Sequence, residues 1–471
     1  MFCKDVQFRR EQFCLADNAR KTAFFILNEL DKGQITLDAV MENFFKKSSS
    51  LTKQDRSFIN ALVYGVLRWK GRIDWIIGHF SKISLSKIKP KVLNILRLGL
   101  FQIIFLDKIP VFAAVNTSVE MAKSFAPPWA VKFINALLRN AARSHSELSF
   151  SHQSFFGKDL SLELSVQKSF PKWITDRWLN RFGFYKTALL CDFINTIPPI
   201  TVRANTLRTS RIRLMKSLKK VAEKVSPTIY SSAGIVFYNP KTPISDIESF
   251  KAGCFQVQDE AAQLVTSLLN PQSGETILDA CSGMGGKTGH IGQLMQNKGM
   301  IVAMDNKKKK LLRLESEMSR LGISIVNTFA YDLNKPLDRK YHAMFDRILL
   351  DAPCSGLGVI RRNPDIKWSR DKHSLTLCSK KQIRFLNNLA HLVKPSGILV
   401  YAVCSTEPEE NEFVADTFLK NHPEFVINIE NRSSQKSFNG YLLLDKRGYF
   451  KTFPHPGNMD GFFSVCFKRE K

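Results

Sequence analysis

Apolar residues in the first third of the chain recur three and four positions apart. Ala23, Ile26, Leu27 and Leu30 share one helix face that Gly33 is placed to stop, and a second helix is expected over Leu37 to Phe45. The same period runs through Phe58 to Leu67, Ile73 to Phe80, Val92 to Leu106, Ala113 to Lys123 and Val131 to Ala142. Residues 1–145 therefore read as an all-α domain. Between 146 and 170 the period is lost in a Ser- and His-rich stretch, read as a linker. Residues 171–252 open on a helical run, Lys172 to Phe184, and continue from Pro198 in short strands and helices, predicting a small α+β domain.

From Gly274 the pattern changes again. Thr276 to Asp279, Met300 to Asp305, Ser324 to Ala330, Asp346 to Asp351 and Gly397 to Cys404 are β-rich, with helical stretches such as Lys307 to Leu321 and Gln382 to Val393 between them. Such alternation predicts an α/β, Rossmann-like domain over 253–471 with a mostly parallel, doubly wound sheet. Ligands of these sheets bind outside the carboxyl ends of the strands. The chain is thus multidomain, and its strand-end residues carry the functional reading.

Composition narrows the class of partner. Of 471 residues, 44% are hydrophobic and 24% charged, which excludes a disordered or fibrous chain. The formal net charge is +27, with +11 of it in the first 150 residues, so a phosphate-rich polymer or an anionic membrane is the expected partner. The membrane is the weaker choice. The most apolar run, Leu98 to Leu106, contains Gln102 and falls short of the roughly 20 residues a spanning helix needs, and no long apolar leader follows Met1. Nine cysteines are scattered without a CxxC pair, so no metal and no disulfide framework is expected, and the cytoplasm is the expected location.

The first strand of the last domain ends in Asp279-Ala280-Cys281-Ser282-Gly283-Met284-Gly285-Gly286-Lys287-Thr288, with a helix expected from about Gly289. Glycines let the backbone approach a ligand, and helix N-terminal amides receive a carboxylate or phosphate. Three ligand classes compete here. A P-loop would need Gly where Cys281 stands, and a nicotinamide fingerprint would need its third Gly where Thr288 stands. S-adenosylmethionine remains, held by Cys281, Ser282, Gly283, Met284, Gly285, Gly286 and Lys287. Asp305 ends the second strand where a ribose-binding acid is expected, Asp332 follows the third near the adenine position, and Asp351 ends the fourth. Singly, each Asp is as often a cap or turn former; together beside a glycine loop they favour a cofactor site.

Two cysteines follow two of these strand ends. Cys354 lies in Asp351-Ala352-Pro353-Cys354-Ser355-Gly356, and Cys404 in Tyr401-Ala402-Val403-Cys404-Ser405-Thr406. Cysteine is ordinarily a buried small hydrophobe, but a polar strand edge is a poor place for a packing thiol. A thiolate is a strong nucleophile. Beside a methyl donor it suggests a definite chemistry: addition to carbon 6 of cytosine makes carbon 5 nucleophilic enough to take a methyl group. An acid near ring nitrogen 3 favours the addition, a task for which Asp351 is placed. A base must then remove the carbon 5 proton, and the second Cys or a water it orders is available for that.

These residues, with Gly358-Val359-Ile360-Arg361-Arg362-Asn363-Pro364-Asp365-Ile366-Lys367-Trp368 and Pro408-Glu409-Glu410-Asn411, strongly resemble the Sun/Fmu family of RNA 5-methylcytosine methyltransferases. The resemblance implies a class I methyltransferase fold, S-adenosylmethionine as cofactor, Cys404 as nucleophile and Cys354 as the residue that assists product release. Residues from about Arg20 to Arg143 resemble a NusB-type RNA-binding domain, through Leu96-Arg97-Leu98-Gly99 and Phe133-Ile134-Asn135-Ala136-Leu137-Leu138-Arg139 among others. That fusion implies 16S rRNA, naked or in an early small-subunit particle, as substrate; separately, a monomer is expected. Met284 departs from the family, whose loop usually has Pro there.

Two rivals stand beside this reading: a tRNA cytosine-C5 methyltransferase, whose catalytic motifs would look the same, and an RNA-binding assembly factor with a decayed catalytic domain. Arg361 and Arg362 are expected to contact phosphates near the entering base. The run Lys307 to Lys310 is expected chiefly as a solvated helix face, and His455 with Asp460-Gly461-Phe462-Phe463 as part of a final hairpin.

Overall fold

The computed structural model describes residues 19–33, 35–48, 51–144, 159–429, 443–454, 457 and 459–471. The chain divides into two compact units. One comprises the described residues up to Asn195 together with Asn363–Ser369; the other comprises Thr196–Arg362 and Arg370–Lys471.

The first unit is helical: α1 (Ala19–Leu30), α2 (Leu37–Lys47), α3 (Lys53–Phe80), α4 (Pro90–Phe105), α5 (Val111–Phe125), α6 (Pro128–Ser144), α7 (Leu160–Gln167) and α8 (Lys172–Ile194). Phe24, Ile59, Leu62, Val63, Ile95, Leu98, Ile134 and Leu138 are among its buried core. The two helices expected over Phe58 to Phe80 are one. A capping box starts α3, with Asp55 N–H donating to Thr52 Oγ1 and Thr52 N–H to Asp55 Oδ2, and Gly71 continues it, since a helical glycine costs only about 1 kcal/mol. Arg97, in α4, holds Asp74 of α3 bidentately at 2.7 and 2.9 Å.

The division departs from the expected boundaries. Of the expected linker, 146–158 lie outside the described residues, but α7 occupies 160–167 with Leu164 and Val166 buried. Both α7 and α8 belong to the first unit, because Phe170, Ile174 and Trp178 supply apolar surface that the sequence composition around them hides. The segment Asn363–Ser369 also packs there: the ammonium of Lys367 is fully buried and donates to Arg68 O, Ser169 O and Asn195 Oδ1.

In the second unit β1 (Ile200–Ala204), β2 (Ala222–Pro227), β3 (Gly234–Pro240) and β4 (Phe255–Val257) form an antiparallel sheet in the order β2-β3-β1-β4. The small domain's sheet therefore runs past the expected boundary at 252. Beyond it come β5 (Thr276–Asp279), β6 (Met300–Asp305), β7 (Val326–Ala330), β8 (Phe345–Asp351), β9 (Val393–Val403), β10 (Phe425–Ile427), β11 (Phe450–Lys451) and β12 (Phe463–Arg469). Their order is β10-β12-β9-β8-β5-β6-β7, with β11 on β12; β9 through β7 are parallel and β12 is antiparallel to β9. The order reverses at β5, which has β6 on one side and β8 on the other. That switch point is where such a sheet opens a crevice. Of the expected final hairpin, Asp460 to Phe463 lead into β12, while His455 lies outside the described residues.

Candidate active site

The crevice at the carboxyl ends of β5, β6 and β8 holds a cavity of about 800 Å³. Asp279, Cys281, Ser282, Gly283, Met284, Gly286, Lys287, Asp305, Asp332 and Asp351 all line it; Gly285 does not. Gly285 instead caps the helix Gly286–Leu294 at φ +87°, and a side chain there would meet Leu314 and Met318 at 2.9 Å. The helix thus opens three residues earlier than expected, because glycine reaches the left-handed conformation needed for the turn. A Cβ added to Gly283 or Gly286 would meet nothing within 4 Å, so bare backbone faces the cavity at both.

Carboxylates surround that backbone. Asp305 is buried, accepts from Gly283 N–H at 3.2 Å and Lys307 N–H at 2.9 Å, and pairs with Lys310 at 3.3 Å. The loop and the second strand end are thereby locked to each other, and Lys310 is more than a solvated face. Asp332 accepts from Asn334, whose backbone N–H holds its carboxyl below the ordinary range. Asp279, the last residue of β5, lines the same cavity. It is fully buried, its Oδ2 accepts from Thr288 at 2.7 Å, and its Oδ1 has no hydrogen-bond partner among the described residues. Burial pushes its pKa up to about 7.

A fully buried arginine underlies the loop. Arg203 of β1 donates to Gly286 O at 3.0 Å, Gln256 Oε1 at 2.8 Å and Gln293 Oε1 at 3.1 Å, and also to Gln258 Oε1. Burial lowers its pKa to about 9, against the pull of Glu317. Nothing in the local pattern of β1 marks it, since only the packing of the two sheets brings its guanidinium under Gly286.

Lys287 joins the cavity to the cysteines. Its Nζ lies 2.5 Å from Asp351 Oδ2 and 5.5 Å from the centre of the Phe462 ring. Burial lowers its pKa, but Asp351, through charge and hydrogen bond, with the charges of Cys404 and Asp279, outweighs burial and raises it. Neither thiol is among the cavity-lining residues. Cys354 and Cys404 are half-buried, with their Sγ atoms 3.2 Å apart. The Cys354 thiol is pushed well up, first by its contact with Cys404 and then by burial, with the Glu410 and Asp351 carboxylates adding to it.

The expected phosphate contacts are corrected. Arg361 is 4% exposed and donates to Ile197 O, while Arg362 bridges Asp259 at 2.8 Å and Asp460 at 2.6 Å. Both guanidiniums are committed inside the unit, because an arginine on a short loop between packed layers meets protein acceptors first. No group of three or more His, Cys, Asp or Glu able to hold a metal ion occurs among the described residues, and no helix among them is long and apolar enough to cross a membrane.

A doubly wound sheet with a glycine loop and acidic strand ends at its switch point fits the class of S-adenosylmethionine-dependent methyltransferases. Comparison gives the family. Residues 266–468 match the family model "16S rRNA methyltransferase RsmB/F", residues 17–143 the NusB family, and residues 170–244 the ferredoxin-like domain of RsmF/B-like methyltransferases. A probable ribosomal RNA small subunit methyltransferase B of Synechocystis is 33% identical over 457 residues, 96% of this chain and 99% of that one. Its Bacillus subtilis counterpart is 33% identical over 458 residues, with the same coverage. The crystal structure of PH0851 superposes with a TM-score of 0.79 at 25% identity, over 97% of this chain and all of that one. The chain belongs to the RsmB/F family of 16S rRNA methyltransferases, and its domains are NusB-like, ferredoxin-like and Rossmann-like.

The residues present fit the cofactor. The cavity has the size of a small-molecule site, the glycine backbone is open to it, Asp305 offers a carboxylate for ribose hydroxyls, and the orphaned Asp279 Oδ1 is an acceptor for an ammonium group.

Proposed function

We propose that the protein methylates carbon 5 of a cytosine in 16S rRNA, in the cytoplasm, through a covalent bond between Cys404 and carbon 6 of the base. S-adenosylmethionine, held by Cys281 to Met284, Gly286, Lys287, Asp305, Asp332 and Asp351, would supply an electrophilic methyl group. The observation that carries the reading is the pair of thiols 3.2 Å apart at neighbouring strand ends, next to the Lys287–Asp351 ion pair.

Each residue then has a task. Cys404 adds to carbon 6, and the Lys287–Asp351 pair supplies the proton that favours addition at ring nitrogen 3. Carbon 5, now nucleophilic, takes the methyl group. A water ordered beside Cys354 takes the carbon 5 proton out to solvent, the ring nitrogen 3 proton returns to the Lys287–Asp351 pair, and the carbon 6–sulfur bond breaks to give back the Cys404 thiolate. The target base must leave its stack to reach these groups, which favours a loop or partly unfolded RNA over an intact duplex. The small-subunit rRNA named for the relatives is the substrate this reading takes, and the basic charge of the helical domain supplies salt-sensitive grip.

Methylation of purified 16S rRNA and of tRNA with tritiated cofactor, followed by bisulfite mapping, tests it. Label at a cytosine of 16S rRNA that is lost in Cys404→Ala is the expected result. Label confined to tRNA, or undiminished in Cys404→Ala, would sink the substrate or the nucleophile assignment respectively.

A further inference from the structure

Glu410 is fully buried, six residues beyond Cys404, and its carboxylate hydrogen-bonds to neither Cys354 nor Cys404. Its Oε1 accepts from Ser355 N–H at 2.8 Å and from Gln382 Nε2 at 3.0 Å. Its Oε2 accepts from Ser355 Oγ at 2.5 Å and from Ser405 Oγ at 2.6 Å. A carboxylate has about four lone-pair sites, and these four neutral donors fill them, with the Cys378 thiol in hydrogen-bond contact as well. It has no capacity left for a ligand.

Three of those four donors belong to Ser355 and Ser405, the residues that directly follow Cys354 and Cys404. The serine hydroxyls lie 3.3 Å apart, beside thiols 3.2 Å apart. Gln382 also donates to Pro353 O at 3.1 Å, so the backbone is held on both sides of Cys354. Glu410 is itself fixed, because the buried Tyr401 hydroxyl donates to its carbonyl at 2.6 Å. A carboxyl group is costly to bury, and packing alone would be served as well by an apolar side chain.

We propose that Glu410 is a positioning residue for methyl transfer: one buried carboxylate sets the spacing of Cys354 and Cys404 by binding the serine that follows each. The proposal rests on the two-thiol reading above. A misplacement of about 1 Å in a reacting group costs on the order of 100-fold in rate, and the serines are the nearest handles by which such a shift is prevented. The carboxylate's charge adds to the forces that keep the Cys354 thiol protonated, after the Cys404 contact and burial.

The test uses the full-length enzyme with 16S rRNA and reads kcat, KM for the cofactor, cofactor Kd and Tm for Glu410→Ala, Glu410→Gln, Ser405→Ala and Cys404→Ala. In Glu410→Gln the amide oxygen still accepts from Ser355 N–H and Gln382, while its NH2 donates to the two hydroxyls. Glu410→Ala should lose about 100-fold in kcat with cofactor Kd and KM within about two-fold, Glu410→Gln should recover to within about ten-fold of wild type, and Ser405→Ala should lose about ten-fold. Wild-type kcat in Glu410→Ala or Ser405→Ala overturns the proposal, as does a Glu410→Gln that binds cofactor normally but is as slow as Glu410→Ala. If Glu410→Ala does not fold, Glu410→Gln and Ser405→Ala decide. A fully active Cys404→Ala would instead overturn the two-thiol reading itself.

Discussion

Lys287 and Asp351 form an ion pair of 2.5 Å in which the lysine is 10% and the aspartate 32% exposed, at the boundary between the cofactor cavity and the thiols. The lysine comes from the glycine loop and the aspartate from the end of β8. Their pairing makes a single proton-holding unit of two residues that sequence spacing assigns separate tasks.

Lys287→Met should therefore slow single-turnover methylation by about 10- to 100-fold, because a preorganised charge beside the reacting base is lost. The chemical step, measured by rapid quench at saturating cofactor, checks this. An unchanged rate constant would remove Lys287 from the chemistry.

Cys354→Ala should leave Cys404 able to add to the base and take the methyl group, but should slow release. A covalent protein–RNA complex is the expected product, visible as a retarded band on a denaturing gel. Cys404→Ala and the double variant should show none.

Asp279 makes the stability of the cofactor-free protein depend on pH. Its pKa is raised from an unfolded value near 3.8 to about 7, so the folded state binds a proton that the unfolded state has already released over that interval. This contribution is fully present below about pH 4, declines as pH rises, and is lost above about pH 7. Its size is on the order of a few kcal/mol. Asp279→Asn should flatten the difference curve in urea unfolding between pH 4 and 7; an unchanged slope would show that Asp279 is not the titrating group.

Gly358 sits where the loop after Cys354 crosses the segment before β12. Its N–H donates to Cys404 O at 3.0 Å, and its carbonyl accepts from Gly461 N–H at 2.8 Å. A Cβ there would collide with the backbone of Gly461. Gly358→Ala should cost about 1–3 kcal/mol in stability and move the loop away from Cys404, lowering kcat more than cofactor affinity. Calorimetry and equilibrium binding separate the two effects.

Much of this architecture was legible in local pattern. The 3.6 period marked the helical domain, and the alternation after Gly274 marked the doubly wound sheet, because both reflect one buried face per element. Strand-end chemistry was legible for the same reason: Asp279, Asp305, Asp351 and Cys404 each end or follow an apolar run. The extent of α3, the place of α7 and α8 and the true start of the helix at Gly286 were not, since capping and tertiary burial decide them.

By itself the amino-acid sequence determined the elements, the glycine loop, the two cysteines and, through their resemblance to a known family, the chemistry to expect. Tertiary structure decided which side chains meet. Asp351 pairs with Ala402 in the parallel register of β8 and β9, and that register carries Cys354 and Cys404, 50 residues apart, to 3.2 Å. The same packing turned Arg361 and Arg362 inward, placed Arg203 under Gly286 and set Glu410 between two serines. Contacts of this kind depend on strand order and on the closeness of packed layers, and neither is written in the spacing of residues along one strand.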